Sequence, residues 1–194
     1  MNPAFVSAPM VALFCSGRTQ LPTTAIANAT LSHDHAIVVD IDGTLTPSVL
    51  FIWKAREHAS RALNIFAEKG YEIIYLSTRI SLFSAGIPGW LKSEGFPDGS
   101  IHVAQTREDH SLPELYKTRM LREFIAKGWV LQGAYGDSSA DFVAYSAVHI
   151  PKGHVYALKR EGNAACQPGE WVACLSGWTE HLEFIESVQS VHGR

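Results

Sequence analysis

Five short apolar runs alternate with helix-forming segments along this chain, and that order constrains the fold more than any other feature of the sequence. The first run, AIVVD at 36–40, is continuous and rich in β-branched residues, the pattern of a strand covered on both faces. Residues 53–68 then place Ala59, Ala62, Leu63 and Phe66 at helical spacing, with Gly70 as a stop. YEIIYLS at 71–77 reads as a second strand, and SLFSAGIPGWLKSEGF as a helix broken at Pro88. IHVAQ at 101–105 is a third strand, followed by a helix over 114–127 with Leu121, Phe124 and Ile125 on one face. WVLQGAYGD at 129–137 is a fourth strand running into a loop, SSADFVAYSAV a short helix, and HVYALK at 154–159 a fifth strand. A last helix over 178–190 carries Trp178, Leu182, Ile185 and Val188 on one stripe. Strands alternating with helices predict an α/β protein: a mostly parallel sheet of about five strands with helices on both faces.

The 194 residues suit one domain, assigned to 31–194, with residues 1–30 as an N-terminal segment of separate character. Hydrophobic residues at 46% and charged ones at 18% exclude a disordered chain. A net charge of −3 without a basic run argues against nucleic acid as a partner. No apolar run is long enough to span a bilayer, which leaves at most peripheral membrane contact. The apolar run PMVALFCSG lacks the basic region of a signal peptide, so export is disfavoured. Cys15, Cys166 and Cys174 have no metal-like spacing and read as free thiols of a reducing, cytoplasmic compartment. The nine histidines show no paired-ligand spacing, and the five tryptophans read as packing residues.

The chemistry gathers at strand ends, where open α/β sheets bind ligands. Asp40 closes the first strand and Asp42 lies two residues on, in VVDIDGTLTP. Two neighbouring carboxylates persist if a cation lies between them, if one holds a proton, or if both are solvated in a turn. The first two arrangements suit a carboxylate nucleophile with a divalent metal and a proton-donating neighbour. Ser77 and Thr78 bring hydroxyls to the same edge, either as phosphate ligands or as a cap for the next helix. Asp137 and Asp141 follow the fourth strand, as hard oxygen ligands suited to Mg²⁺, with Asp137 also a candidate helix N-cap. Lys117 shares its helix face with Leu121 and Phe124, so it points inward to an anionic partner or snorkels off the edge of the stripe.

DxDGT at the first strand end, Ser/Thr at the second, a later helical Lys and GDxxxD after the fourth together resemble the haloacid dehalogenase (HAD) superfamily over residues 36 to about 160. The resemblance implies a three-layer Rossmannoid fold and an aspartyl-phosphate mechanism. It makes Asp40 the nucleophile and a metal ligand, and Asp42 the general acid/base that also offers its backbone carbonyl to the metal. Thr44 would help to order the turn beside the phosphate; Ser77, favoured over Thr78 by the Ser-x-Arg form, would bind the phosphate. Lys117 would steady nucleophile and phosphate, Asp137 would ligate Mg²⁺, and Asp141 would be a second ligand or the orienter of the first. Dehalogenases of the superfamily lack an acid at the position of Asp42, so phosphoryl chemistry is implied.

Only 35 residues separate Asp42 from Ser77, and 40 separate Ser77 from Lys117, too few for a substantial cap domain. An open site of this kind suits a large phosphorylated substrate, lipid or soluble metabolite. DIDGTLTPS, YEIIYLSTRISLFSAGIPGWL and YGDSSADFVAYSAVHIPKGHVYALKREG further resemble the LNS2 branch. Its lipin members dephosphorylate phosphatidate with Mg²⁺, while others bind phosphatidate without turnover. The chain departs from that branch in having His149 where Gly is common and LKREG where NPKG is usual. VLFIW at 49–53 and LFSAGIPGW at 82–90 should flank the site, either as an apolar rim for lipid or as core; exposure of Phe51 and Trp53 decides which.

Overall fold

The computed structural model describes residues 21–30 and 34–191. Six strands form one sheet: β1 (His35–Asp40), β2 (Glu72–Ser77), β3 (Ser100–Val103), β4 (Val130–Gly136), β5 (Val155–Leu158) and β6 (Ala173–Leu175). Their order is β3-β2-β1-β4-β5-β6, with every neighbouring pair parallel. The helices are α1 (Ala59–Glu68), α2 (Ser81–Ser84), α3 (Ile87–Ser93), α4 (Arg107–Ser111), α5 (Pro113–Ala126), α6 (Ser139–Ala147) and α7 (Leu182–Ser187).

The central strand explains the layering. Along β1, Ile37 and Val39 enter a core shared with α1, α3 and α7, while Ala36 and Val38 enter the opposite core with α5 and α6. Side chains alternate across a strand, so a continuous apolar run is what a doubly covered strand needs. Among the described residues no cap domain interrupts the sheet, and no helix is long and apolar enough to cross a membrane. Residues 21–30 lie along the β3 edge and the end of α5. Thr24 donates its backbone N–H to Ile101, Trp129 donates its indole N–H to Ala27, and Ile26 is buried.

Several expectations need correction. A sixth strand, three residues long, extends the predicted sheet. The helix expected from residue 53 begins at Ala59, because Arg56 is drawn onto the β1 turn and His58 takes a left-handed conformation at the helix start. The buried stripe of Ala59, Ala62, Leu63 and Phe66 is as predicted. The helix predicted as broken is broken, but ahead of Pro88: α2 ends at Ser84, α3 starts at Ile87, and Pro88 sits in the first turn of α3, where its missing N–H is harmless. The helix over 178–190 contracts to a 3₁₀ turn, Thr179–His181, and α7.

Cys166 and Cys174 form a disulfide, which overturns their reading as free thiols; Cys15 lies outside the described residues. The loop after β5 returns alongside β6 and brings the two Cα atoms to 5.8 Å, a proximity that an eight-residue separation does not reveal. Disulfides persist in oxidising surroundings, so the thiol argument for a cytoplasmic location no longer holds.

Candidate active site

The strand order places the topological switch between β1 and β4, the crevice where this kind of sheet binds ligands. Asp40 ends β1 and Asp137 follows β4, so the two carboxylates face each other across that crevice. Gly43, in the turn after β1, lets them approach. It has φ +90, and a Cβ there would lie 1.9 Å from Asp137 Oδ2, so no other residue fits.

Lys117 reaches in from α5 and donates to Oδ1 of Asp40 and Oδ1 of Asp141, all three side chains being buried. The inward reading of Lys117 thus holds, with carboxylates as its partners. Burial alone would lower the ammonium pKa, but Asp141 and Asp40 outweigh it and leave the pKa raised. Burial raises the pKa of Asp40 well above the usual carboxylate range, against the pull of Lys117 and with the help of the neighbouring acids. Asp137 is pushed up to about 6, first by burial and then by Asp141, with Arg160 opposing.

Asp141 is fully engaged on its other oxygen, which accepts the backbone N–H of Ser138 at 3.0 Å and of Asp137 at 3.3 Å. Ser138, not Asp137, is the N-cap of α6, and Asp141 completes its capping box. That leaves the Asp137 side chain for the site, where Arg160 donates its Nε–H to Oδ2.

Asp42 lies on the β2 side. Ser77 donates its hydroxyl to Oδ2 at 3.0 Å, and Arg79 Nη2 lies 2.8 Å from Oδ1. The Arg79 guanidinium also stacks over Trp53 at 4.8 Å and donates to Ile52 O at 3.0 Å. Thr78 is half-buried and, like Asp42, lines a cleft on this side. Thr44 is wholly buried with no partner for its hydroxyl, whereas the Thr46 hydroxyl accepts from Gly43 N at 2.9 Å.

Three arginines escaped the sequence reading. Arg79 was visible only as part of the Ser-x-Arg run, and Arg160 only as a departure in LKREG. Arg56 carried no signal at all. Its guanidinium collects the carbonyls of Gly43 at 2.8 Å, Thr46 at 3.0 Å and Lys159 at 2.7 Å, tying the turn after β1 to the end of β5.

The site's donor set fits a divalent cation. Asp40, Asp137 and Asp141 each offer an oxygen, all within 4.8 Å of one another, and Asp40 Oδ2 is buried with no hydrogen-bond partner. Hard carboxylate oxygens of this kind suit Mg²⁺.

Next to Asp42 opens a cleft of about 470 Å³ walled by Val49, Leu50, Ile52, Ile80 and Phe83. Leu50 in its wall is 83% accessible, and the chain neighbours of its wall residues are exposed as well: Leu82 79%, Phe51 54% and Trp53 43%. Core packing is therefore excluded for Val49, Leu50, Phe51, Trp53, Leu82 and Phe83, while Ile87 and Trp90 are core.

Solved structures share this fold. A HAD-like phosphatase from Mesorhizobium loti superposes with a TM-score of 0.58 at 16% identity, covering 87% of this chain and 92% of its own. A chain of the Pnkp1/Rnl/Hen1 RNA repair complex gives a TM-score of 0.55 at 16% identity, over 79% of this chain and 48% of that one. Within that architecture the chain belongs to a particular family, matching the model for "PITM 1-3, LNS2 domain" over residues 37–159. Relatives include membrane-associated phosphatidylinositol transfer protein 3 of Homo sapiens, 24% identical over 155 residues and 78% of this chain. The retinal degeneration B protein of Drosophila melanogaster is 26% identical over 156 residues, again 78% of this chain. The chain spans only 15% and 12% of those two proteins.

Proposed function

We propose that this chain is a Mg²⁺-dependent phosphomonoester hydrolase with an open site, acting on phosphatidate or another large phosphorylated substrate. The observation that carries the reading is the Asp40 carboxylate. It sits at the end of the central strand with Oδ1 held by Lys117 and Oδ2 buried and unpartnered, poised toward a ligand.

In this reading the Asp40 carboxylate attacks phosphorus, and the bond from phosphorus to the leaving alcohol oxygen breaks as the acyl-phosphate bond forms. Asp42 gives its proton to that leaving oxygen. It then takes a proton from the water that attacks the acyl-phosphate, releasing phosphate and restoring Asp40. Ser77, with Thr78 and Thr44 nearby, supplies hydroxyls to the phosphoryl group, and Lys117 offsets its charge. Asp40, Asp137, Asp141 and the backbone carbonyl of Asp42 would hold Mg²⁺, which neutralises charge on the phosphoryl oxygens when bound.

The exposed apolar lips beside Asp42 favour a lipid over a small sugar phosphate, since a soluble substrate has no use for them. The relatives' names, which speak of membrane association and phosphatidylinositol transfer, point the same way. Contact with a membrane would be peripheral.

One observation favours a second reading, a module that binds phosphatidate without turning it over. Both oxygens of Asp42 are engaged, one by Ser77 and both by Arg79, and an acid so occupied is better placed to organise than to transfer protons.

Phosphate release separates the two. Phosphatidate in mixed micelles, sugar and nucleotide phosphates and an aryl phosphate are offered with and without Mg²⁺, to wild type and Asp40→Asn. Mg²⁺-dependent release lost in Asp40→Asn is the expected result. Retention of phosphatidate vesicles with no release from any substrate would transfer the assignment to the binding module.

A further inference from the structure

The loop after β5 places one more charged group in the acidic crevice. Arg160 follows the strand end by two residues, and its backbone is pinned on both sides. Lys159 donates its N–H to Leu175 O at 2.8 Å and accepts from Arg56 at 2.7 Å, while Glu161 donates its N–H to Pro47 O at 2.9 Å. From that anchored position the guanidinium donates to Asp137 Oδ2, on the carboxylate oxygen that also faces Gly43. The Asp137 side chain is only 2% accessible, whereas that of Arg160 is 27% accessible and borders a broad cleft of about 740 Å³. Asp137 is thus fixed in place, and Arg160 has open space beside it.

A buried carboxylate without a counter-ion is costly, so the crevice needs positive charge whether or not a metal is bound. Lys117 already serves Asp40 and Asp141, which leaves Asp137 to Arg160. A divalent cation held by the three acids would draw on the same Asp137 carboxylate and would repel the guanidinium lying on it.

We propose that Arg160 is a tethered counter-cation that competes with the divalent metal for Asp137, leaving it for the adjoining cleft when the metal enters. The proposal rests on the reading of Asp40, Asp137 and Asp141 as a metal site. It makes Arg160 the residue that sets how much free Mg²⁺ this domain requires. If the Arg160-engaged form outweighs the released form by about tenfold, apparent metal affinity is weakened by the same factor.

The test is metal binding rather than turnover. Mg²⁺ binding is measured by calorimetry, and Mn²⁺ binding by loss of the free-ion electron paramagnetic resonance signal, on the whole chain as wild type, Arg160→Gln, Arg160→Met and Asp137→Asn. Removing the guanidinium should tighten both ions about tenfold, and Asp137→Asn should weaken them. Equal or weaker binding in both Arg160 variants, with wild type still binding, would overturn the competition while leaving the metal site standing. No binding to any form would overturn both. Should the variants fold poorly, the ¹⁵N-¹H signal of the Arg160 Nε in the wild-type protein replaces them. It should move and exchange faster as Mg²⁺ is added, and a signal that stays fixed while metal binds would refute the proposal.

Discussion

The Nε–H of Arg79 is shared between both oxygens of Asp42, 3.0 Å from Oδ1 and 3.2 Å from Oδ2, and Nη2 lies 2.8 Å from Oδ1 as an ion pair. A planar guanidinium set against a carboxylate in this way fixes orientation as well as charge. Arg79 is itself held flat by Trp53 and Trp90, at 4.8 and 5.9 Å from their ring centroids. Asp42 therefore has one posture relative to the strand ends, and that posture depends on a residue from the neighbouring strand's loop.

Arg79→Lys should keep the charge and lose the planar contact. Phosphate release should fall about 10- to 100-fold in kcat, a part of what a positioned acid/base group supplies. Arg79→Ala removes one partner of a buried pair and should cost about 3–5 kcal/mol in urea unfolding. An Arg79→Lys protein with unchanged phosphate release would show that Asp42 needs no planar partner.

Leu50, in the wall of the apolar cleft, and Leu82, next in the chain to its wall residue Phe83, are both largely exposed. If the proposed lipid contact is made there, Leu50→Asp with Leu82→Asp should reduce co-sedimentation with phosphatidate vesicles about tenfold or more, since each replaces an apolar group with a charge. Folding stability should stay within about 0.5 kcal/mol per site, as for surface substitutions generally. Unchanged vesicle binding would remove the lips from the membrane contact.

His149 has φ +62, in the left-handed region that costs a residue with a Cβ. It follows α6 at the turn into Ile150, which explains why glycine is common at this position in the LNS2 branch. His149→Gly should raise stability by about 0.5–1 kcal/mol, the relief of the strain less the extra entropy glycine loses on folding. Urea midpoints read this directly, and a destabilised variant would mean that the imidazole makes compensating contacts.

Burial lowers the pKa of His102 and of His181 from 6.5 to about 4. His181 lies between the rings of Tyr156 and Phe184, at 4.3 and 4.6 Å. Their protons are taken up more readily in the unfolded chain than in the fold. The stability they allow is therefore complete above pH 6.5 and declines as pH falls from 6.5 towards 4. Ring-proton titration by NMR should give midpoints near 4 for both, and a midpoint near 6.5 for either would contradict its burial.

The legible part of this protein was the part that a single element encodes. Continuous apolar runs announced doubly covered strands, and spacing along α5 put Lys117 beside Leu121 and Phe124, with which it is buried, although Ile125, assigned to the same face, is exposed. The placement of Asp40, Ser77 and Asp137 at strand ends followed in turn. Weaker signals failed where a local preference was overridden. Residues 53–58 have helical spacing, yet the carbonyls gathered by Arg56 hold them as a loop.

By itself the sequence determined the alternating α/β order and the carboxylates that meet at its strand ends, since periodicity and turn position are properties of short segments. Only the tertiary structure decided which cation serves which acid, Arg79 with Asp42, Lys117 with Asp40 and Asp141, Arg160 with Asp137. It also decided that Cys166 meets Cys174 and that the lips of the cleft face outward. A charged or apolar residue in a loop reads the same whether it is solvated or partnered, and the difference arises when the fold brings another segment to it.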